Sequence, residues 1–144
     1  MSFARIALLA AALGLSACNA GSHAYLYAGG SQASVQRTIS VPRGSTASLG
    51  FAATINPDCT RADSPDRVTL TQAPSQGRVD IRHEAGYAYF RPANPRSRCN
   101  TQRVPGTKLF YHANPNASGT DSFAYDWYTG TGGVAHFTVT VNIL

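Results

Sequence analysis

Charge is scarce in this chain. Of 144 residues only 13% are charged, with 7 acidic against 12 basic, for a formal net charge of +5. The acidic residues are scattered from Asp58 to Asp126, and such a spread makes no oxygen cage for calcium. No Cys-x-x-Cys or His-x-His spacing offers a transition-metal site, and no Gly-x-Ser-x-Gly elbow or other nucleophile context frames a catalytic serine. No stretch after residue 18 has the 3.6-residue apolar period of an amphipathic helix. The apolar run at residues 6–15 is too short to cross a bilayer as a helix. The expectation is a protein that is not an enzyme, holds no cofactor or metal, and builds its fold from strands.

Glycine, proline, serine and threonine are plentiful, which suits many short strands joined by turns. The length is that of one domain, and a mature part of about 120 residues can still bury a sizeable core. All-β is the fold class expected.

The N-terminus is an address. Arg5 precedes the apolar run, which has the length of a secretory signal core. The run ends in Leu15-Ser16-Ala17-Cys18, which resembles the bacterial lipobox. That resemblance implies acylation of Cys18 as the first residue of a mature lipoprotein held on a membrane by its N-terminal lipid. Ordinary cleavage after Cys18-Asn19-Ala20, leaving a soluble periplasmic or secreted protein, is the alternative. Residues 1–18 are therefore read as signal peptide, 19–36 as a flexible tether rich in Gly, Ala and Ser and interrupted by Tyr25-Leu26-Tyr27, and 37–144 as the domain. Such a tether would span roughly 20 to 25 Å.

With Cys18 lipidated or removed, Cys59 and Cys99 remain as a pair in an oxidising setting, so a disulfide is expected, against two free thiols or part of a metal site. Closing that loop would contribute at most about 4 kcal/mol in the chain-entropy view.

Apolar alternation marks the strands. Residues 38–41 form the first, ending at Pro42, with a turn at 42–45. Leu49, Phe51, Ala53 and Ile55 alternate in the second. Val68 and Leu70 mark a third, Val79 and Ile81 a fourth, and residues 87–90 a short fifth. After a long irregular connection at 91–105 come three strands between Leu109 and Ile143. In the last two, Phe123, Tyr125 and Trp127 alternate onto one face, and Ala135, Phe137, Val139, Val141 and Ile143 do the same after the turn. A turn at 129–133 joins them as a hairpin. Seven or eight strands at intervals of roughly 8 to 20 residues point to an antiparallel two-sheet sandwich.

The run Tyr111 through Gly119-Thr120-Asp121-Ser122-Phe123-Ala124-Tyr125, with its Gly-rich turn and Phe137-Thr138-Val139-Thr140-Val141, resembles the end of bacterial immunoglobulin-like and cadherin-like repeats of surface proteins. Pro74-Ser75-Gln76-Gly77-Arg78-Val79 resembles their Pro-x-x-Gly-x-Val turn. The resemblance implies an immunoglobulin-like sandwich of seven or eight strands with an adhesive, binding or spacer role in the cell envelope. Asp121-x-Phe123-x-Tyr125 also resembles the strand bearing the tyrosine corner, with Tyr125 as the corner residue. Antibody domains place a core cysteine two residues on; here Trp127 fills that position.

Two groups of polar residues stand out. His112 and His136 fall opposite the apolar residues of their strands and are expected in solvent, whereas His83 shares the parity of Val79 and Ile81. A small periplasmic enzyme or metal carrier using His83 is the alternative from another class. Arg91, Arg96, Arg98 and Arg103 lie within one Pro-rich segment, pinned by Cys99 and uninterrupted by acidic residues. Guanidinium forks suit carboxylates and phosphates, so this loop is the candidate contact for an anionic envelope component or acidic protein, against the alternative of a solvated, merely basic loop; Arg96 and Arg98 are expected in solvent either way. Nucleic acid is not expected as a partner, since no recognition motif accompanies the charge.

Overall fold

The computed structural model describes residues 32–144. The apolar leader, Cys18 and residues 19–31 lie outside the described residues. Seven strands follow one another: β1 Gln32–Val41, β2 Thr46–Ala52, β3 Arg67–Gln72, β4 Gly77–Tyr87, β5 Arg103–Ala113, β6 Gly119–Tyr128 and β7 Val134–Ile143, with a 3₁₀ turn at Ser97–Thr101 before β5. They form a four-stranded sheet in the order β1-β7-β6-β3 and a three-stranded sheet in the order β2-β5-β4. The protein is all-β with two sheets, and among the described residues no helix is long and apolar enough to cross a membrane.

The structure corrects four sequence expectations. The pairing is not wholly antiparallel, because β1 runs parallel to β7 from Gln32 opposite Val134 to Val41 opposite Ile143. Residues 32–36, assigned above to the tether, are part of that ladder. No separate strand occupies 87–90; β4 runs on to Tyr87, because all of its residues find partners on β5. Finally, β2 ends at Ala52 and its alternation is broken by a bulge. Ser48 and Gly50 oppose the consecutive residues Phe110 and Leu109, which leaves Leu49 as the extra residue. Gly50 adopts φ 137°, a conformation that glycine reaches without steric cost.

The main core lies between the sheets. Inward residues of β5, β6 and β7 supply most of it, including Tyr111, Phe123, Val139 and Val141, all fully buried. The period of 2 read from Phe123, Tyr125 and Trp127 is realised on β6, although Trp127 is only half-buried. Their rings make a continuous row. Tyr111 stacks on Phe123 at 5.6 Å, Phe123 on Tyr125 at 6.3 Å, Tyr125 on Phe137 at 4.6 Å and Trp127 on Phe137 at 6.3 Å. Fully burying one such side chain stabilises the fold by roughly 1.5–3 kcal/mol.

The connections divide by length between the two ends of the sandwich. At one end lie the tight links 42–45, 73–76 and 114–118. Ser45 N–H donates to Pro42 and Ala117 N–H to Asn114 there. At the other end lie the hairpin turn 129–133 and the two long links, 53–66 and 88–102. The hairpin turn is closed by Thr129 N–H donating to the Gly133 carbonyl at 2.8 Å.

Candidate binding site at the open end

The two long loops are tied to each other rather than to the sheets alone. Cys59 and Cys99 form a disulfide with Cα atoms 5.5 Å apart. Cys99 is fully buried and Cys59 takes φ 71°, in the left-handed region that side chains enter only at a cost. Around the bridge sits a second apolar cluster of Ile55, Ala88, Cys99 and Val104, with Phe51, Ala53 and Phe90 packed against it. Leu49, Phe51, Ala53 and Ile55, expected on one core face, are thus split. Leu49 belongs to the main core and the other three to this cluster, since the bulge resets the strand. The Phe51 ring can lie across β4 and β5 because Gly86 and Gly106 are beneath it. A Cβ at Gly106 would come within 2.4 Å of that ring.

Polar side chains complete the loop. Asn100 donates Nδ2–H to the Phe90 carbonyl and accepts the Phe90 N–H, both at 2.8 Å, as a neighbouring strand would. Arg96 Nε–H donates to the Ile55 carbonyl, and Arg98 Nε–H to the Pro57 carbonyl at 2.8 Å. Arg103 instead reaches β4, donating to the Ala85 carbonyl at 2.7 Å. The expectation that both Arg96 and Arg98 stand in solvent is therefore corrected: Arg96 is half-buried and is part of the tie between the loops, while Arg98 is exposed. The sequence placed the four arginines in one segment; the structure brings Arg96 and Arg98 to residues 55–57, and leaves Arg91 exposed on the loop and Arg103 exposed at the start of β5. Asn100 was missed, since nothing in its sequence context separates a bridging asparagine from a loop one.

Above this cluster the sheets part. A cleft of about 770 Å³ enters between them, bounded by β2, by residues 88–96, by the 129–131 turn and by the aromatic floor of Tyr125, Trp127 and Phe137. Its wall contains Arg37, Arg91 and Arg96 and no Asp or Glu. Tyr89 on its rim is 68% exposed, as is the nearby Tyr87 at 65%. Arg37 is on the face of β1 that carries Val35 and Ile39 inward. Its Nη1–H donates to the Leu49 carbonyl across the gap between the sheets. The Tyr125 phenol is pushed up to about 12 by burial, partly offset by the Arg37 charge beside it.

A smaller cleft of about 260 Å³ lies on the other side of residue 54, where His83, Glu84, Asp66 and Arg61 meet. His83 shares a hydrogen bond with Thr107 Oγ1 at 3.1 Å. Asp66 is buried, and that burial raises its pKa although the Thr54 hydroxyl donates to its Oδ1. Asp66 Oδ2 and the Trp127 Nε1–H, close enough for the indole to act on the carboxyl, both lack a hydrogen bond of normal geometry. His112 and His136 are on the outer faces, but neither is bare. His136 Nδ1 meets Asp126 at 2.7 Å, and the half-buried His112 shares a hydrogen bond with Thr46 at 2.7 Å.

The tyrosine that carries a corner-like hydrogen bond is not Tyr125. Tyr111 donates its hydroxyl to Asp121 Oδ2 at 2.8 Å inside the core, while Tyr125 contributes a stacked ring. The motif pointed to Tyr125 with a backbone acceptor, whereas the phenol that bonds is on the preceding strand and its acceptor is the Asp121 carboxylate.

No family model matches the chain, and no curated protein does. Among solved structures it is similar to amebosin in solution, at 12% identity and a TM-score of 0.42, over 80% of this chain and 100% of that one. It is also similar to PbICP-C in complex with falcipain-2, at 11% identity and a TM-score of 0.35, over 85% of this chain and 96% of that one. Likeness of that degree bears on neither function nor partner.

Proposed function

We propose that the chain is an immunoglobulin-like module of the cell envelope, exported, anchored through a lipid on Cys18, and serving as a binding or structural element rather than a catalyst. The observation that carries the fold half of this reading is the strand order. With the strands lettered A to G, one sheet contains B-E-D and the other G-F-C, the division found in immunoglobulin sandwiches, with strand A beside G instead of beside B. The disulfide supports export, since such bridges persist in oxidising compartments. The contact surface is the basic loop at the open end, now reduced to Arg91, Arg98 and Arg103 as its exposed members. Its partner is an anionic envelope component.

Fractionation of native cells tests the address: Cys18→Ala abolishes lipid labelling and moves the protein from the membrane to the soluble fraction. A wild type already soluble refutes the anchor and leaves a soluble secreted or periplasmic module. The contact surface is tested with anionic vesicles and acidic glycans. Arg98→Ser weakens association most at low ionic strength, because exposed charges are screened over about 8 Å at physiological salt. Unchanged binding at low salt removes Arg98 from the contact.

A further inference from the structure

Arg37 is the most out-of-place charge in the domain. It stands on the inward face of an edge strand, between Val35 and Ile39, beside Tyr125. A guanidinium has five N–H donors. Among the described residues Arg37 makes one hydrogen bond, to the Leu49 carbonyl, and no ion pair with a carboxylate. The other inward positions of its strand are apolar. An inward charge on an edge strand does discourage sheet-to-sheet association, but that role asks for no cavity. Here the guanidinium borders a cleft of about 770 Å³ with an aromatic floor and no acidic group in its wall. That volume lies within the range of small-molecule sites, roughly 300–1,000 Å³, and its make-up, apolar with a few convergent polar groups, is theirs as well.

We propose that this cleft binds a small amphipathic carboxylate, its head held by the guanidinium of Arg37 and its aliphatic body laid on Tyr125, Trp127 and Phe137 between the sheets. A carboxylate matches the planar donor fork of arginine in two parallel hydrogen bonds. With no competing Asp or Glu in the wall, the ligand supplies the counter-charge that the fold omits. The Arg96 charge, nearby on the loop side, adds to the positive field at the mouth. An uncharged chain of equal length fills the same floor but leaves the guanidinium unmatched. The site does not depend on the envelope address proposed above; of the exposed arginines of the loop it shares Arg91 and neither Arg98 nor Arg103.

The protein carries its own reporter, since its single tryptophan is Trp127 in the floor of the cleft. Sodium dodecanoate, titrated into the purified full chain at pH 7.5 and below its aggregation threshold, shifts Trp127 emission saturably with one molecule bound per chain. Dodecanol binds about tenfold or more weakly, and Arg37→Met weakens dodecanoate by a similar factor while leaving dodecanol unaffected, as expected for loss of a charged hydrogen-bond pair. Arg37→Lys retains part of the affinity. No saturable shift with dodecanoate, a shift seen only with anionic vesicles, or equal affinity in Arg37→Met overturns the proposal. Should Arg37→Met fail to fold, the wild-type comparison decides: equal affinity for dodecanoate and dodecanol refutes a guanidinium-held head.

Discussion

The two ends of this sandwich solve the same problem in opposite ways. At the end with the tight turns, one carboxylate absorbs the loose donors of three segments. Asp121 accepts the backbone N–H groups of Ser75, Gln76 and Ser122, the Ser75 hydroxyl, and the buried Tyr111 hydroxyl, each at 2.8–2.9 Å. At the other end Asp66 Oδ2 and the Trp127 indole nitrogen stand near each other without a hydrogen bond of normal geometry, and Arg37 spends one donor of five. The long loops there are held by a disulfide and by arginine-to-carbonyl ties, which fasten them to each other over a gap. The closed end keeps one buried polar atom without a hydrogen bond of its own, His112 Nε2, 3.7 Å from the Asp80 carboxylate. The hub at Asp121 is nonetheless satisfied and rigidifies that end, whereas incomplete satisfaction beside a cleft leaves polar groups for something else to meet.

The largest expected effect breaks the comparison at the core. Phe123→Ala, in the fully buried centre of the aromatic row, costs about 3–5 kcal/mol, enough to unfold a marginal domain. Trp127→Ala removes a larger ring but one that is half-buried against the cleft, so its cost falls well below that of Phe123→Ala. Urea midpoints measure both. Equal costs mean that the open end is packed as tightly as the centre.

Reduction of the Cys59–Cys99 bridge follows, at up to about 4 kcal/mol. Its signature is spatial. Hydrogen exchange quickens in 53–66 and 88–102 while the turns 42–45, 73–76 and 114–118 keep their protection. Uniform loss of protection means that the loops are not a separate unit of stability.

Legibility from the sequence follows local pattern more than position in the sandwich. The last hairpin could be read: β6 and β7, their turn and their inward residues follow from strict alternation, which one buried face imposes on a strand. The disulfide followed from counting cysteines. At the open end the reading failed for physical reasons. The bulge at Leu49 is set by how β2 meets β5, and no local residue announces it beyond Gly50. Arg96 was read as solvated because a guanidinium usually is; its burial depends on the carbonyl of Ile55, far away in the chain. Arg37 was passed over altogether, although its parity with Val35 and Ile39 was visible. Once β1 had been started at residue 38, Arg37 fell outside the strand.

The next effect tests the closed end. Tyr111→Phe leaves Asp121 one donor short and costs about 1.5–3 kcal/mol, as for a hydrogen bond to a charged group. Burial alone would raise the Asp121 pKa, but the Ser75 N–H, the Tyr111 hydroxyl and the Gln76 N–H outweigh it and hold the carboxyl below its ordinary value of 3.8. The folded state therefore releases this proton more readily than the unfolded one. The stabilisation is complete above about pH 4 and is lost as pH falls through the folded value. Asp121→Asn keeps one acceptor oxygen and turns an amide N–H₂ toward two donors, so it is less stable than wild type at pH 7 and flattens the acid limb of the stability curve. An acid limb of unchanged steepness means that other carboxylates set it.

The smallest effect has the opposite sign and belongs to the open end. Burial raises the Asp66 pKa above 3.8, and the hydroxyl of Thr54 and the indole of Trp127 only partly counter it. The folded chain thus holds this proton to higher pH than the unfolded chain does. As pH rises from about 4 through the folded value, the unfolded state ionises first and the fold loses stability, after which the penalty is constant. Asp66→Asn has no proton to lose. Its stability relative to wild type increases as pH rises through that window, whatever the offset between the two at pH 4. Urea denaturation of both proteins at several pH values between 4 and 7 measures the difference. A difference that does not change with pH means that the Asp66 carboxyl titrates alike in both states, with its open oxygen solvated well enough to be neutral in cost, and the contrast with Asp121 would then rest on hydrogen bonding alone.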